Sequence, residues 1–255
     1  MRCPHQRRSR RTFLGLLGVG LAFASTGRAE ASEPHAPDPP GKPTVLRRGP
    51  DASVSSRQVA ITVDDGSCAD CVAGYAAFAQ RTGVHLTFSP NGRYDRSWRP
   101  QARVLRPLVE AGQVQVINHT FGHPDLTRLT AGKVRDELER NEAWINRTFG
   151  TSALPYYRPP YGRHNPAVDR VAAGVGFDRV AMWNGSYSDS SLITPAFLLG
   201  QAARYFQPGT IMLGHANHPT VLALFDQILD LIRQRDLTPV TLDEMFNTRR
   251  PPMPR

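Results

Sequence analysis

From about residue 57 onward, short runs of β-branched and apolar residues alternate with longer stretches of helical spacing. The runs at 59–63, 84–88, 114–118, 156–158, 179–183, 210–214 and 238–240 have strand length and predict seven strands. Helices are predicted over 72–81, 99–111, 131–149, 166–173, 195–205 and 220–233. In the longest, Val134, Leu138 and Ile145 share one face, and Thr130 offers an N-cap. Strands that alternate with helices predict a parallel α/β sheet. Seven such units in roughly 190 residues predict a distorted or incomplete (β/α)7 barrel; periodicity alone also fits an open doubly wound sheet. No Gly-x-Gly-x-x-Gly follows a strand, which argues against a dinucleotide site.

The flanks have no such pattern. Residues 32–57 are rich in proline, serine and charge and predict a linker without a core, and 247–255 form a basic, proline-rich tail. Ser9-Arg10-Arg11-Thr12-Phe13-Leu14 matches a twin-arginine signal, followed by an apolar run to Ala24 and a small-x-small site at Ala29-Glu30-Ala31. That run is short of the ~20 residues a membrane span needs. Residues 1–31 are therefore expected to be a cleaved signal. The protein is expected to be exported, with a secreted, periplasmic or cell-wall location and no stable membrane span.

Charge changes this picture little. The formal net charge is +9, and residues 1–31 carry six arginines against one glutamate. The remaining +4 is a mild bias, and no basic stripe interleaved with aromatics is evident, so nucleic acid is not expected as a partner. Of the three cysteines, Cys3 lies in the signal; Cys68 and Cys71 are expected to form a local disulfide in an oxidising compartment.

Candidate chemistry gathers where strands end, which is where parallel α/β folds place functional groups. Asp64-Asp65-Gly66 closes one strand with two carboxylates. His119 and His123, four residues apart after another, can converge on one cation; one of the two aspartates would complete a set that leaves a position for water. Arg158 follows a third strand and can hold a carboxylate ionised, and His215 follows a fourth, where a general acid would sit. Neither His-Glu-x-x-His nor Gly-x-Ser-x-Gly occurs, which disfavours helical metalloproteases and serine esterases.

In this order, these segments resemble the polysaccharide deacetylase family, also called NodB-homology or carbohydrate esterase family 4, over residues 58–246. Its motifs appear as Thr62-Val63-Asp64-Asp65-Gly66, His119-Thr120-Phe121-Gly122-His123, Arg158-Pro159-Pro160-Tyr161 and Leu213-Gly214-His215. The resemblance implies that Asp65, His119 and His123 hold one divalent metal, with Zn2+ expected. It implies that Asp64 takes a proton from the attacking water, that Arg158 orients Asp64, and that His215 protonates the departing amine. The Tyr161 backbone N–H would help hold the oxyanion, and Leu213 with Trp183 would wall the acetyl pocket. The implied substrate is a GlcNAc-containing polysaccharide, peptidoglycan-like or chitin-like.

The family's Asp-x-x-Asp-Trp departs here. With Trp183 aligned, Ser186 stands at the first Asp, Asp189 at the second and Ser190 at the Trp. Ser186 adds no negative charge, which predicts a less basic His215 unless Asp189 substitutes. This departure motivates an alternative, a glycan-binding protein of the same fold with lost turnover. A further alternative is acetyl-ester hydrolysis on a xylan-like glycan. Residues 91–99, with Arg93, Tyr94, Arg96 and Trp98, are a candidate sugar platform.

Overall fold

The computed structural model describes residues 42–248. The expected signal peptide and the tail beyond residue 248 lie outside the described residues. In chain order the elements are β1 (Thr44–Leu46), α1 (Asp51–Ser55), β2 (Gln58–Asp65), α2 (Ala69–Thr82), β3 (Leu86–Pro90), α3 (Asp95–Trp98), α4 (Ala102–Glu110) and β4 (Val114–Val116). They continue as α5 (Ala131–Phe149), β5 (Tyr156–Tyr157), α6 (Pro166–Ala173), β6 (Arg179–Ala181), β7 (Gly185–Ser186), α7 (Pro195–Tyr205), β8 (Thr210–His215), α8 (Phe225–Gln234), β9 (Thr238–Val240) and α9 (Leu242–Phe246).

Every strand pairing is parallel. One sheet runs β4-β3-β2-β8-β7, and β2 is its axis. Along one edge β2 meets β8; along the other it meets β9 at residues 58–60 and then β3 at residues 62–65. A second sheet, β1-β6-β5, is joined to the first where Asn118 bridges to Tyr157. There the Asn118 N–H donates to the Tyr156 carbonyl at 3.1 Å and the Arg158 N–H donates to the Asn118 carbonyl at 2.7 Å. No pairing joins β7 to β1 among the described residues, so the barrel is distorted and does not close.

Alternation along β2 sorts its side chains. Val59, Ile61 and Val63 face the helices, in a core shared with Tyr75, Phe88, Trp98 and Phe149. Ala60 faces the barrel interior with Ile117, Tyr156, Ala181, Ile211 and Val240, and Leu242 and Met245 of α9 belong to the same cluster. Thr62 and Asp64 continue the inner face upward. Because all strands point one way, their C-terminal ends form a single rim, and the polar motifs rise onto it together.

The structure moves one boundary. Within the stretch expected to be a linker, β1 pairs with β6 and α1 packs beside β2. Such short elements carry too few residues to display a period, and proline and charge dominate the composition around them. The missed β7, α3 and α9 are equally short. Thr130 caps α5 as expected, and Cys68 and Cys71 form the local disulfide at the start of α2. No helix among the described residues is long and apolar enough to cross a membrane.

Candidate active site

Adjacent residues of a strand normally point to opposite faces, yet Asp64 and Asp65 reach one site. Asp65 ends β2 in a left-handed conformation (φ 73°), which turns its carboxylate onto the rim. His119 Nε2 lies 3.5 Å and His123 Nε2 3.4 Å from Asp65 Oδ1. The three candidate ligand atoms all lie within 4.8 Å of one another.

The local sequence fixes each of these side chains. The His119 ring contacts the Arg158 carbonyl through Nδ1 at 2.7 Å, so Nδ1–H donates and Nε2 is the nitrogen turned inward. His123 (φ 60°) follows a tight turn in which the Thr120 hydroxyl accepts the His123 N–H at 3.1 Å. Asp65 Oδ2 accepts from Asn217 Nδ2 at 2.7 Å, and Asn217 Oδ1 in turn accepts from Ser67 N–H at 3.1 Å. The Asp65 carbonyl accepts the Trp98 indole N–H at 2.8 Å. Asp65 Oδ1, by contrast, is buried with no hydrogen-bond partner. A buried, orphaned carboxylate oxygen between two imidazole nitrogens fits a divalent cation, and one carboxylate with two imidazoles suits Zn2+.

Electrostatics agree with that fit at Asp65 and His123. Burial pushes the Asp65 carboxyl up, but His119 and His123 outweigh it and hold it well below the usual carboxylate range. Burial and the neighbouring His119 push His123 down to about 4, which leaves it neutral, as a ligand must be. His119 shifts the other way; burial opposes its charge, yet Asp64 and Asp65 together raise it.

Asp64 is held from below. Its Oδ1 accepts from Arg158 Nη1 at 2.8 Å and from the Ser89 hydroxyl at 2.6 Å. The fully buried Arg158 also donates to Thr62 Oγ1 at 2.7 Å and to the Ala181 carbonyl at 2.8 Å. Oδ2 therefore remains as the oxygen facing the cluster, 3.7 Å from His119 Nε2. Burial raises the Asp64 carboxyl, but Arg158, then His119 and His215, reverse the shift and keep it low.

His215, at the end of β8, contacts Asp189 Oδ1 through Nδ1 at 2.8 Å, while its backbone N–H donates to Asp189 Oδ2 at 3.0 Å. Burial lowers His215, but Asp189 outweighs it and the net shift is upward. Of the two expectations for His215, the structure shows the one in which Asp189 stands in for the missing acid. Asp189 supplies the carboxylate, and Ser186 instead accepts the Ser188 N–H at 2.9 Å in the turn that leads to it.

The trio, Asp64 and His215 line a cleft of about 630 Å³, together with Tyr94, Tyr161, Trp183 and Leu213. Tyr161 (φ 59°) is 64% exposed, and its ring lies edge-on to His123 at 4.6 Å. The proposed platform at 91–99 does not hold as drawn. Trp98 is fully buried beneath Asp65, and Tyr94 alone of its aromatics lines the cleft. Ser89 and Asn217 were missed, because nothing in a lone serine or asparagine signals which side chain it will meet.

A parallel barrel with a carboxylate and two imidazoles on its rim, flanked by a second carboxylate and an acid-paired histidine, defines a class of hydrolytic centre. The sequence profile of the family described as polysaccharide deacetylase matches residues 51–180, and the chain belongs to that family. It is 27% identical over 203 residues to the peptidoglycan-N-acetylglucosamine deacetylase PgdA of Listeria monocytogenes, covering 76% of this chain and 40% of that protein. It is 28% identical over 189 residues to a bifunctional xylanase/xylan deacetylase of Cellvibrio japonicus, covering 74% of this chain and 27% of that one. The chain thus spans less than half the length of these two relatives. Among solved structures, BA3943 of Bacillus anthracis, described as a carbohydrate esterase family 4 pseudoenzyme, superposes with a TM-score of 0.69 at 20% identity. That match covers 80% of this chain and 69% of the other, and it shows a shared fold.

Proposed function

We propose that this protein is an exported, metal-dependent N-deacetylase of a GlcNAc-containing polysaccharide, converting the acetamide and water to free amine and acetate. The observation that carries the reading is the convergence on one rim of three parts: the Asp65–His119–His123 trio, the Arg158-held Asp64 and the Asp189-held His215. A divalent ion held by the trio would polarise the acetyl carbonyl and acidify the attacking water. Asp64 Oδ2 takes the proton as water attacks the acetyl carbon, while Arg158 keeps the carboxylate charged and aimed. His215, protonated through its pairing with Asp189, delivers a proton to nitrogen as the C–N bond breaks. The Tyr161 backbone N–H supports the developing oxyanion. Leu213 and Trp183 exclude water around the methyl group.

Loss of turnover was a rival because Ser186 replaces an acid, and the Asp189–His215 pair speaks against it. Export rests on the twin-arginine signal in the sequence. The test is acetate release from a panel of N-acetylated and O-acetylated glycans, with and without chelator. Release from amides that chelator stops and Asp64→Asn abolishes is the expected result. Binding of glycan without acetate release at full metal occupancy would favour the non-catalytic alternative, and preference for acetyl esters the xylan-like one.

A further inference from the structure

The segment whose aromatics do not form an exposed platform has a second property. From Gly92 to Glu110 the backbone is helical almost without a break: a 3₁₀ turn at Gly92–Tyr94, α3, a second 3₁₀ turn at Arg99–Gln101, then α4. Along it Arg93, Arg96, Arg99, Arg103 and Arg106 recur at the three- and four-residue spacing of one helix face, and all five are exposed. Trp98 and Leu105 mark the opposite, buried face. The segment's only acids are Asp95 and Glu110. At 1.5 Å per residue the row is about 20 Å long. A merely solvated helix face mixes signs and gains from i,i+4 pairs. Here the arginine row contains one such ion pair, Arg99 with Asp95.

The row is tied to the cleft at one end. Arg93 Nη1 donates to the Gly122 carbonyl at 2.8 Å, one residue from His123, and Tyr94 lines the cleft itself. Towards the other end Arg99 and Arg106 meet Arg147 of α5 around a hollow of about 230 Å³. Arg99 uses Nε and Nη2 on Asp95, and Arg106 uses Nε and Nη2 on the carbonyls of Thr148 and Arg147. Among the described residues each keeps its Nη1 without a hydrogen bond, and the exposed Arg147 guanidinium makes none either, although it adds to the positive field at Asp95. Forked N–H groups of this kind match carboxylates.

We propose that this arginine face is an exosite for the carboxylate groups of an acidic polysaccharide, the same polymer whose acetylated sugar occupies the cleft. The proposal rests on the deacetylase reading for the identity of that sugar. Continuity with the cleft favours a polymer that runs past the rim. A membrane surface would call for apolar side chains beside the charges, and the row is interrupted on its outer face by Pro100 and Pro107 instead. A single-stranded nucleic acid would call for a series of outward aromatics, whereas Trp98 points inward and Tyr94, at the cleft end, is the one other aromatic of the segment.

The test is binding of the full chain to polygalacturonate, measured by calorimetry at low salt. Neutral dextran, anionic phospholipid vesicles, duplex DNA and polyphosphate serve as comparators. Polygalacturonate is expected to bind best, and its binding to weaken with salt. The combined variant Arg96→Glu, Arg103→Glu, Arg147→Glu is expected to bind at least about ten-fold more weakly, with Arg96→Gln, Arg103→Gln, Arg147→Gln intermediate. Neither variant should change acetate release from a short neutral chitooligosaccharide. Unchanged binding by a folded charge-reversal variant, or equal binding of dextran, would overturn the proposal. So would preference for vesicles, DNA or polyphosphate. The binding arm needs no turnover, so failure of the deacetylase reading would show separately, as absence of acetate release.

Discussion

Asp189 grips His215 twice, through the ring at 2.8 Å and through the backbone N–H at 3.0 Å. The carboxylate thus sets both the position of the imidazole and its affinity for a proton. The pair places a raised pKa on the residue that must be protonated to release the amine, so activity should fall as pH climbs past that value. Asp189→Asn removes the charge, lowers His215 and moves the alkaline limb of kcat/KM to lower pH. A loss of roughly 10²-fold or more above neutrality is expected, within the range for general acids. The same shift contributes to folding: it is fully present below the ordinary histidine pKa and disappears as pH rises through the raised one. A pH–rate profile of the two proteins decides the matter; an unmoved alkaline limb would sever Asp189 from catalysis.

The buried Arg158–Asp64 pair should be far costlier to break than its surface counterparts. Arg158→Met leaves a carboxylate buried without its partner, at about 3–5 kcal/mol of stability. Asp64 is held low in the folded state, so its contribution is present above the ordinary carboxylate pKa and fades as pH falls through the depressed one. Without Arg158 the acid limb of the pH–rate profile should move to higher pH. Denaturant melts at pH 7 and pH 4 would show the penalty shrinking in acid.

Asn217 acts on metal affinity through Asp65. Asn217→Ala removes the donor to Asp65 Oδ2 and loosens the 66–67 turn, and should weaken Zn2+ binding by roughly 10–100-fold. Competition with a chromogenic chelator measures this directly. An unchanged affinity would mean that the Asp65 carboxylate is oriented by the strand alone.

Gly66 has no room for a side chain. Its φ is +121°, and a Cβ there would lie 2.0 Å from the Trp98 indole nitrogen. Gly66→Ala should displace Trp98 from the Asp65 carbonyl and cost on the order of 3 kcal/mol. Thermal melts with and without Zn2+ should reveal a lower Tm and a smaller gain on adding the ion.

The strand ends were readable because apolar runs stop at Asp64, Asn118, Arg158 and His215, and a parallel sheet gathers such ends. His119 and His123 stood out by residue type and spacing, whereas the choice of Asp65 over Asp64 as their partner came from the family resemblance. Asp189 was harder: its sequence position favoured no role over that of Ser186, and the Ser188 turn (φ 58°) precedes the carboxylate that meets the histidine. Trp98 misled because an aromatic among arginines reads as exposed until packing turns it inward. The arginine row escaped notice for a related reason. Pro100 and the two 3₁₀ turns disguise a helical phase that the backbone nonetheless keeps. Ser89 and Asn217 act across the fold on residues remote in sequence, which no local pattern encodes.

Asp65, Thr120, His123, Tyr161 and Ser188 all hold positive φ without being glycine. Each is a standing tension of order 1 kcal/mol or more, gathered at the mouth of the barrel and borne by the rest of the molecule. Breeding this scaffold for heat resistance alone would swap these positions for glycine, and at Asp65 and His123 every such gain would delete a donor. The hardiest descendant of this chain is therefore an inert one, and endurance without loss of chemistry has to be sought in the floor of the barrel.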